Sequence, residues 1–518
     1  MKPHFNPAYS LDQAAAWHGD RVAIHYGDVA VRVAEAAQVT RQLAGMLAEC
    51  GVGAGDRVAL ISRNSPYHLL LHVACARLGA VFVPVSFRFA VPELEDLLRF
   101  SGARVVVADP ETAVRGIDRA GCGGAEFFVI DDDAAASAAD APGEYRRLVA
   151  SYSAVDPAEL GDVLPDLADV ESLGGAMLFT SGSTGRPKAV CLSHENLWWG
   201  SQNFREGFEY SNHDVELVTV PLTHIGGFNG TTLDLFSHGG TVVIVREFSP
   251  AIVLEQLERR KVAMMFAVPT IYAALMAHPD FVARDLSAFR LPLIGGAICP
   301  PALLKRMEEH GLRPLNVWGM TEAAASGFML SQDLLDEARG AIGMPFAHVE
   351  AKIVGADGNE AAEGELVISG PNVVSEYWKD PDFSAEAFRD GWLYTGDMAR
   401  RDEHGFVWIV GRVRYQINTG GEKVIPEEVS NVLIHMPEIS DAAVVGIPDP
   451  VWGQAVAAAI VLRPGFEAPS VKAVRDFAQA HIARFKAPRV LVVVDALPTN
   501  ANGKINMAEV KELVLARI

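Results

Sequence analysis

Cysteine is scarce and scattered. Cys50, Cys75, Cys122, Cys191 and Cys299 are five thiols in a chain of 518 residues. An odd number without a CxxC pair excludes a disulfide framework and a thiolate zinc site, and predicts a reduced, cytoplasmic protein. Positive charge is also in deficit: 44 Lys and Arg stand against 65 Asp and Glu, a formal net charge of -21. A phosphate backbone or an anionic lipid surface would repel such a chain, so no nucleic acid partner is expected. Long apolar runs are missing too. The stretch His68 to Val85 is broken by His72 and Arg77 and reads as a buried helix and strand, so no integral membrane segment is expected. Met1 to Ser10 lacks the apolar core of a secretory signal. Composition does not decide between a monomer and a homodimer.

What is present is ordinary globular material, half apolar and 21% charged, in a chain too long for one core. Asp56–Ser62 reads as a strand, Pro66–Leu78 as an apolar helix and Ala80–Val85 as the next strand. The alternation continues with strands at Ala103–Ala108, Thr241–Val245 and Val262–Val268, the last after a helix at Ile252–Arg260. Strands spaced by helices predict parallel sheets covered by helices. Asp131–Gly143, rich in Ala, Asp and Ser, reads as an exposed loop. From about Glu350 short strands follow Gly/Asp/Asn turns, which predicts a β-rich subdomain. Beyond Gly411-Arg412 the strands Ala442–Ile447, Ala455–Leu462 and Val490–Val494 and the helix Val471–Ile482 predict a small α+β domain. The fold class expected is α/β: a large N-terminal domain of stacked, helix-covered sheets with a β-rich subdomain, then a small mobile α+β C-terminal domain.

One segment carries more chemistry than the rest. Leu178 and Phe179 end an apolar strand, and Thr180, Ser181, Gly182, Ser183, Thr184, Gly185, Arg186, Pro187 and Lys188 follow. Glycines let backbone N–H groups approach a ligand, hydroxyls add donors, and Arg186 and Lys188 supply charge for a polyphosphate. A flexible Ser/Gly linker is the bland alternative. A GxxxxGK[ST] P-loop is excluded, because two residues separate Gly182 from Gly185 and Ala189 follows the lysine. Further polar islands end other apolar segments: Trp318-Gly319-Met320-Thr321-Glu322, Tyr394-Thr395-Gly396-Asp397, Gly411-Arg412, Thr419-Gly420-Gly421-Glu422-Lys423, and Asn502-Gly503-Lys504. Taken singly, each has an ordinary reading as a cap, a solvated helix residue or a loop cation.

In their common order these motifs resemble the adenylate-forming superfamily, in its acyl-CoA synthetase branch. The resemblance spans nearly the whole chain, from Gly79–Pro84 to Lys504, and implies an ATP-dependent acid–CoA ligase with a domain boundary at 411/412. It implies that Thr180–Lys188 holds the β- and γ-phosphates of ATP, that Gly295-Gly296-Ala297 and Trp318-Gly319 flank the adenine, and that Thr321 binds the α-phosphate. Relatives usually carry Tyr at the Trp318 position. Glu322 would hold magnesium, Asp397 the ribose hydroxyls with Arg412 close by, and Lys504 would bridge the substrate carboxylate and the α-phosphate. A hinge near Arg412 would then withdraw Lys504 and present Gly420-Gly421 to the pantetheine arm of coenzyme A. Arg414 and Tyr415 depart from the residues relatives carry at that hinge.

The resemblance places the acyl pocket at Pro221-Leu222-Thr223-His224 and the segment beyond, with His224 at its mouth. Gly296 and Met320 belong to the same pocket. Phe228, Thr232 and Leu235 fall at helical spacing after His224, and face either pocket or core. Amino-acid-activating relatives place an aspartate just after the His224 position; Ile225 stands there, and an unpaired ammonium would be costly to bury. The expected acid is therefore apolar, a medium- or long-chain fatty acid first and an aryl or arylalkanoic acid second. Loading of a carrier protein instead of CoA, and a non-catalytic acyl-adenylate binder, are the rival functions. A luciferase-type oxygenase has no positive sign.

Overall fold

Strands buried on both faces cannot alternate polar and apolar residues, and Arg57–Ser62 does not: after its first residue every position is buried. The helix Tyr67–Arg77 is buried at all positions, and its one cation, Arg77, is neutralised by Asp12 at 2.6 Å. The computed structural model describes residues 4–113, 115–118, 122–130, 146–147, 164–180, 188–297, 299–419, 422–450, 452–499 and 504–518. The expected loop at Asp131–Gly143 lies outside the described residues.

Two compact units result, one of residues 1–350 and 368–393, the other of residues 351–367 and 394–518. The first holds two sheets. One has seven strands, in the order Arg146–Arg147, Glu126–Val129, Val105–Ala108, Arg57–Ser62, Val81–Ser86, Gly175–Thr180, Lys188–Leu192. Only its last pair is antiparallel. The other has nine strands, with Leu315–Trp318, Leu291–Gly295, Met264–Ala267, Val215–Val218, Thr241–Ile244 and Val22–Tyr26 as consecutive parallel neighbours. Side chains join the two sheets: Asn64 donates to the carbonyls of Val220 and Val245 and accepts from the Leu222 N–H at 2.8 Å. That amide anchors the turn leading to His224.

In the second unit, the strands Glu350–Val354, Glu363–Ser369, Trp392–Arg401 and Val407–Arg412 make one sheet. Because these pair together, the smaller unit reaches back beyond residue 412. Its other sheet is built on the long hairpin Ile439–Asp449 and Gly453–Leu462, with Val490–Val494 parallel to the latter. One face packs on the helices Pro426–Leu433 and Val471–Gln479, the other on Met507–Leu515. Among the described residues no helix is long and apolar enough to cross a membrane.

Candidate nucleotide and acid site

Parallel strands present ligand sites at their carboxyl ends, and the candidate residues of the first unit sit there. Gly295 ends one strand and Trp318 the next. A Cβ on Gly295 would lie 2.3 Å from the Val317 carbonyl oxygen, so only glycine fits. Past Trp318 the chain makes a 3-10 turn, Thr321–Ala323, then places Ala324 (φ 48°) and Ala325 (φ 72°) in the left-handed region. Two alanines there cost about 1–3 kcal/mol each. Gly319 is compulsory against this turn, since its Cβ would fall 1.7 Å from the Ala325 carbonyl oxygen.

Buried amides hold the strained turn. Asn372 donates to the carbonyls of Ala323 (2.9 Å) and Ser326 (2.7 Å). Asn229 donates to the carbonyls of Ala324 (3.2 Å) and Leu197 (3.1 Å), and Asn203 to the Ser326 hydroxyl (3.2 Å). Glu322, 6% exposed, accepts from the Tyr377 hydroxyl at 2.7 Å. Tyr377 also meets Lys188, whose ammonium lies 5.4 Å from that ring centroid and over the ring of Phe383. Lys188 pairs in register with Thr180 at the base of the expected phosphate loop. Lys188 and Glu322, far apart in sequence, are thereby brought together through Tyr377, with Thr180 paired beside Lys188. Ser181, Gly182, Ser183, Thr184 and Gly185 lie outside the described residues, as do Gly420 and Gly421.

A second grouping surrounds Phe266. The ring is half-buried, 2.9 Å from where a Gly226 Cβ would stand, 3.1 Å from that of Gly295 and 3.9 Å from that of Gly296. His224, half-buried, caps the short helix Ile225–Phe228. Helical spacing does not carry on from there. At Asn229–Leu233 the chain kinks, with Gly230 at φ 22° and ψ -123°, which resets the phase. Phe228 is fully buried against His72 and Phe82, with ring centroids at 5.0 and 5.7 Å. Thr232 turns to Glu216. Met320, Thr321 and Trp318 are half-buried and Ala297 is exposed.

In the second unit Asp397 and Arg412 face each other in register on adjacent strands, with Arg412 Nε 2.6 Å from Asp397 Oδ1. Asp397 is 3% exposed. Lys504 is exposed over the residue as a whole, yet its pKa lies below the ordinary lysine value. Loss of water around the ammonium is the first cause and Arg412 the second, with Asp397 opposing. Crowding at the charged end, not the average over the stem, governs its protonation. Glu427 belongs to the same cluster, its carboxyl raised first by burial.

Sequence reasoning missed Tyr377, Asn372, Asn229 and Phe266. Each is a single residue inside an ordinary-looking stretch, and no local pattern marks it.

Comparison with known proteins agrees in extent with this geometry. Residues 11–378 match the family described as AMP-binding enzyme, and residues 428–504 the AMP-binding enzyme C-terminal domain. Feruloyl-CoA synthase of Amycolatopsis sp is 36% identical over 492 residues, 94% of this chain and 95% of that protein. A long-chain-fatty-acid–CoA ligase of Mycobacterium tuberculosis is 31% identical, over 95% of this chain and 94% of its own. The solved o-succinylbenzoate CoA synthetase of Bacillus subtilis, in complex with its acyl-adenylate intermediate, gives a TM-score of 0.81 at 26% identity over 98% of both chains.

Proposed function

Because the chain belongs to the AMP-binding enzyme family, among the acyl- and aryl-CoA ligases of the adenylate-forming superfamily, we propose that it joins an aryl or arylalkanoic acid to coenzyme A at the expense of ATP. The acid's carboxylate oxygen bonds to the α-phosphorus while the bond to the bridging β-oxygen breaks, giving acyl-AMP and pyrophosphate. The CoA sulfur then bonds to the acyl carbon and AMP leaves.

The first step brings a carboxylate to a phosphorus ringed by anionic oxygens. A unit charge pair at 4 Å is worth about 4 kcal/mol at an effective dielectric near 20, so placed cations offset much of that repulsion. Lys188 serves the β- and γ-phosphates, Thr321 the α-phosphate, and Lys504 the carboxylate and α-phosphate together. Asp397 takes the ribose hydroxyls, which places Arg412 beside the sugar. No general base is required, since the acid is already ionised. Glu322 would hold magnesium. One buried carboxylate suits an ion that shares its coordination with nucleotide phosphates and water, and magnesium there would neutralise phosphate charge. His224 stands at the acid's entrance. The boundary at 411/412 acts as the hinge that exchanges Lys504 for Gly420-Gly421 between the two steps.

The acid class rests on Phe266. A half-buried aromatic wall edged by Gly226, Gly295 and Gly296 leaves a flat surface beside the adenylate positions, and ring stacking adds about 0.5–1.5 kcal/mol beyond area burial. The aryl acid, second in the expectation from sequence, therefore becomes the first reading. AMP and thioester formation with CoA should be assayed on ferulate, indole-3-acetate and octanoate, in the native enzyme and in Phe266→Ala. The native enzyme should prefer the aryl acids, and the variant should lose about 10-fold more kcat/KM on them than on octanoate. Preference for octanoate, or equal losses, sinks the aryl reading. AMP formation without CoA thioester turns the acceptor toward a carrier protein.

A further inference from the structure

One carboxyl in the first unit sits where an apolar side chain would be expected. The strand Val215–Val218 runs between Thr241–Ile244 and Met264–Ala267, and Glu216 on it is 2% exposed. Its register partners, Val242 and Met264, carry no charge. Glu216 Oε1 accepts hydrogen bonds from the hydroxyls of Thr231 and, at 3.1 Å, Thr232, while Oε2 has no partner. Both threonines belong to the kinked segment Asn229–Leu233, whose Gly230 leaves helical geometry at φ 22°, ψ -123°.

Gly230 is buried, and a Cβ there would make ordinary contact with the Phe204 ring at 3.9 Å. Gly226, four residues earlier, is the glycine that abuts Phe266. A regular α-helix through this segment would straighten the kink at Gly230 and redirect every later side chain.

We infer that Glu216 is a positioning residue for the acid pocket: through Thr231 and Thr232 it keeps the kinked turn formed next to the short helix that carries Gly226 and Phe228. Its ionisation therefore sets how bulky an acid the enzyme accepts. This rests on the pocket reading given above. An ionised carboxylate holds hydroxyl donors about twice as strongly as a neutral one. Protonation weakens the latch and creates a donor at Oε2 with no acceptor. Burial, first, pushes Glu216 up to about 7; the two threonine hydroxyls act against this and Asp234 adds to it. The charged and titratable groups around it are Asp234 and Tyr210, bonded to each other at 2.7 Å, with Arg205 at 2.6 Å and His238 at 3.2 Å from the Asp234 carboxylate.

The test is the ratio of kcat/KM for ferulate to that for benzoate, from pH 6 to 8.5 at saturating ATP and CoA. Taking a ratio cancels ionisations common to both acids. In the native enzyme the ratio should rise about 3- to 10-fold through an inflection near pH 7, and in Glu216→Gln it should be flat. Persistence of the inflection in the variant, or its absence from the native enzyme, overturns the inference. A Thr231→Val, Thr232→Val double variant keeps the carboxyl and removes the latch. It should lose the bulky acid selectively, and equal losses on both acids also overturn the inference. Should the native enzyme use no aryl acid, the aryl reading has failed separately, and octanoate against butanoate then tests Glu216 in the same way.

Discussion

The Thr321–Ala325 turn and the Asp397–Arg412–Lys504 cluster are built by opposite means. The turn is strained backbone, two left-handed alanines held by the buried amides of Asn229 and Asn372. Its geometry is set by packing. The cluster is side-chain charge: a short ion pair, a crowded ammonium and a buried carboxyl at Glu427. Charges of this kind are held by partners that a substrate can replace. The contrast teaches that the two units hold their candidate residues by different means, one by braced backbone and the other by paired charge.

Removing the ammonium has the largest expected effect. Lys504→Ala should cut pyrophosphate release by about 100- to 1000-fold, the range for losing one charge-stabilising group. Thioester formation from supplied acyl-adenylate should fall far less, and Tm should stay unchanged. Equal losses in both half-reactions would contradict the partner-exchange role.

Asn372→Ala addresses the other region. The amide donates to Ala323 and Ser326 carbonyls, so its loss should destabilise the chain by about 2–3 kcal/mol and slow adenylation about 10-fold. Denaturant unfolding and pyrophosphate exchange check this together. A stability loss with unchanged exchange would show that the turn needs no bracing.

The smallest effect expected is one of pH. His72 and His194 are buried with ring nitrogens that have no hydrogen-bond partner, their rings 5.6 Å apart. Burial holds His194 at about 4, and His72 well below 6.5. The unfolded chain protonates these rings near 6.5, so it binds more protons than the folded chain below that pH. Their stabilising effect is complete above about 6.5 and drains away as pH falls toward about 4. Tm should drop over that window, and His194→Phe should flatten the drop by a few degrees. A variant with the native slope would remove these rings from the account.

Much of the fold was legible because its strands are short apolar runs bounded by glycine and aspartate. Gly175–Thr180 and Arg57–Ser62 are of that sort. The order of motifs that marks the AMP-binding enzyme family was legible for a related reason: small residues, hydroxyls and cations gathered within one short stretch stand out from an apolar background. Tyr377 was not legible, since it matters only where it meets Glu322, 55 positions away. Nor was the kink at Gly230, which broke the helical period that linked His224 to Thr232 and Leu235.

By itself, then, the order of residues determined the strands, the helix ends and the glycines of the loops, because these follow from sterics and burial over a few neighbouring positions. Tertiary structure alone decided that Asn372 braces a turn and that Glu216 is buried under Thr231. Those facts depend on which distant segments share one dry interior, where an amide or a carboxyl must take whatever partners packing brings within reach.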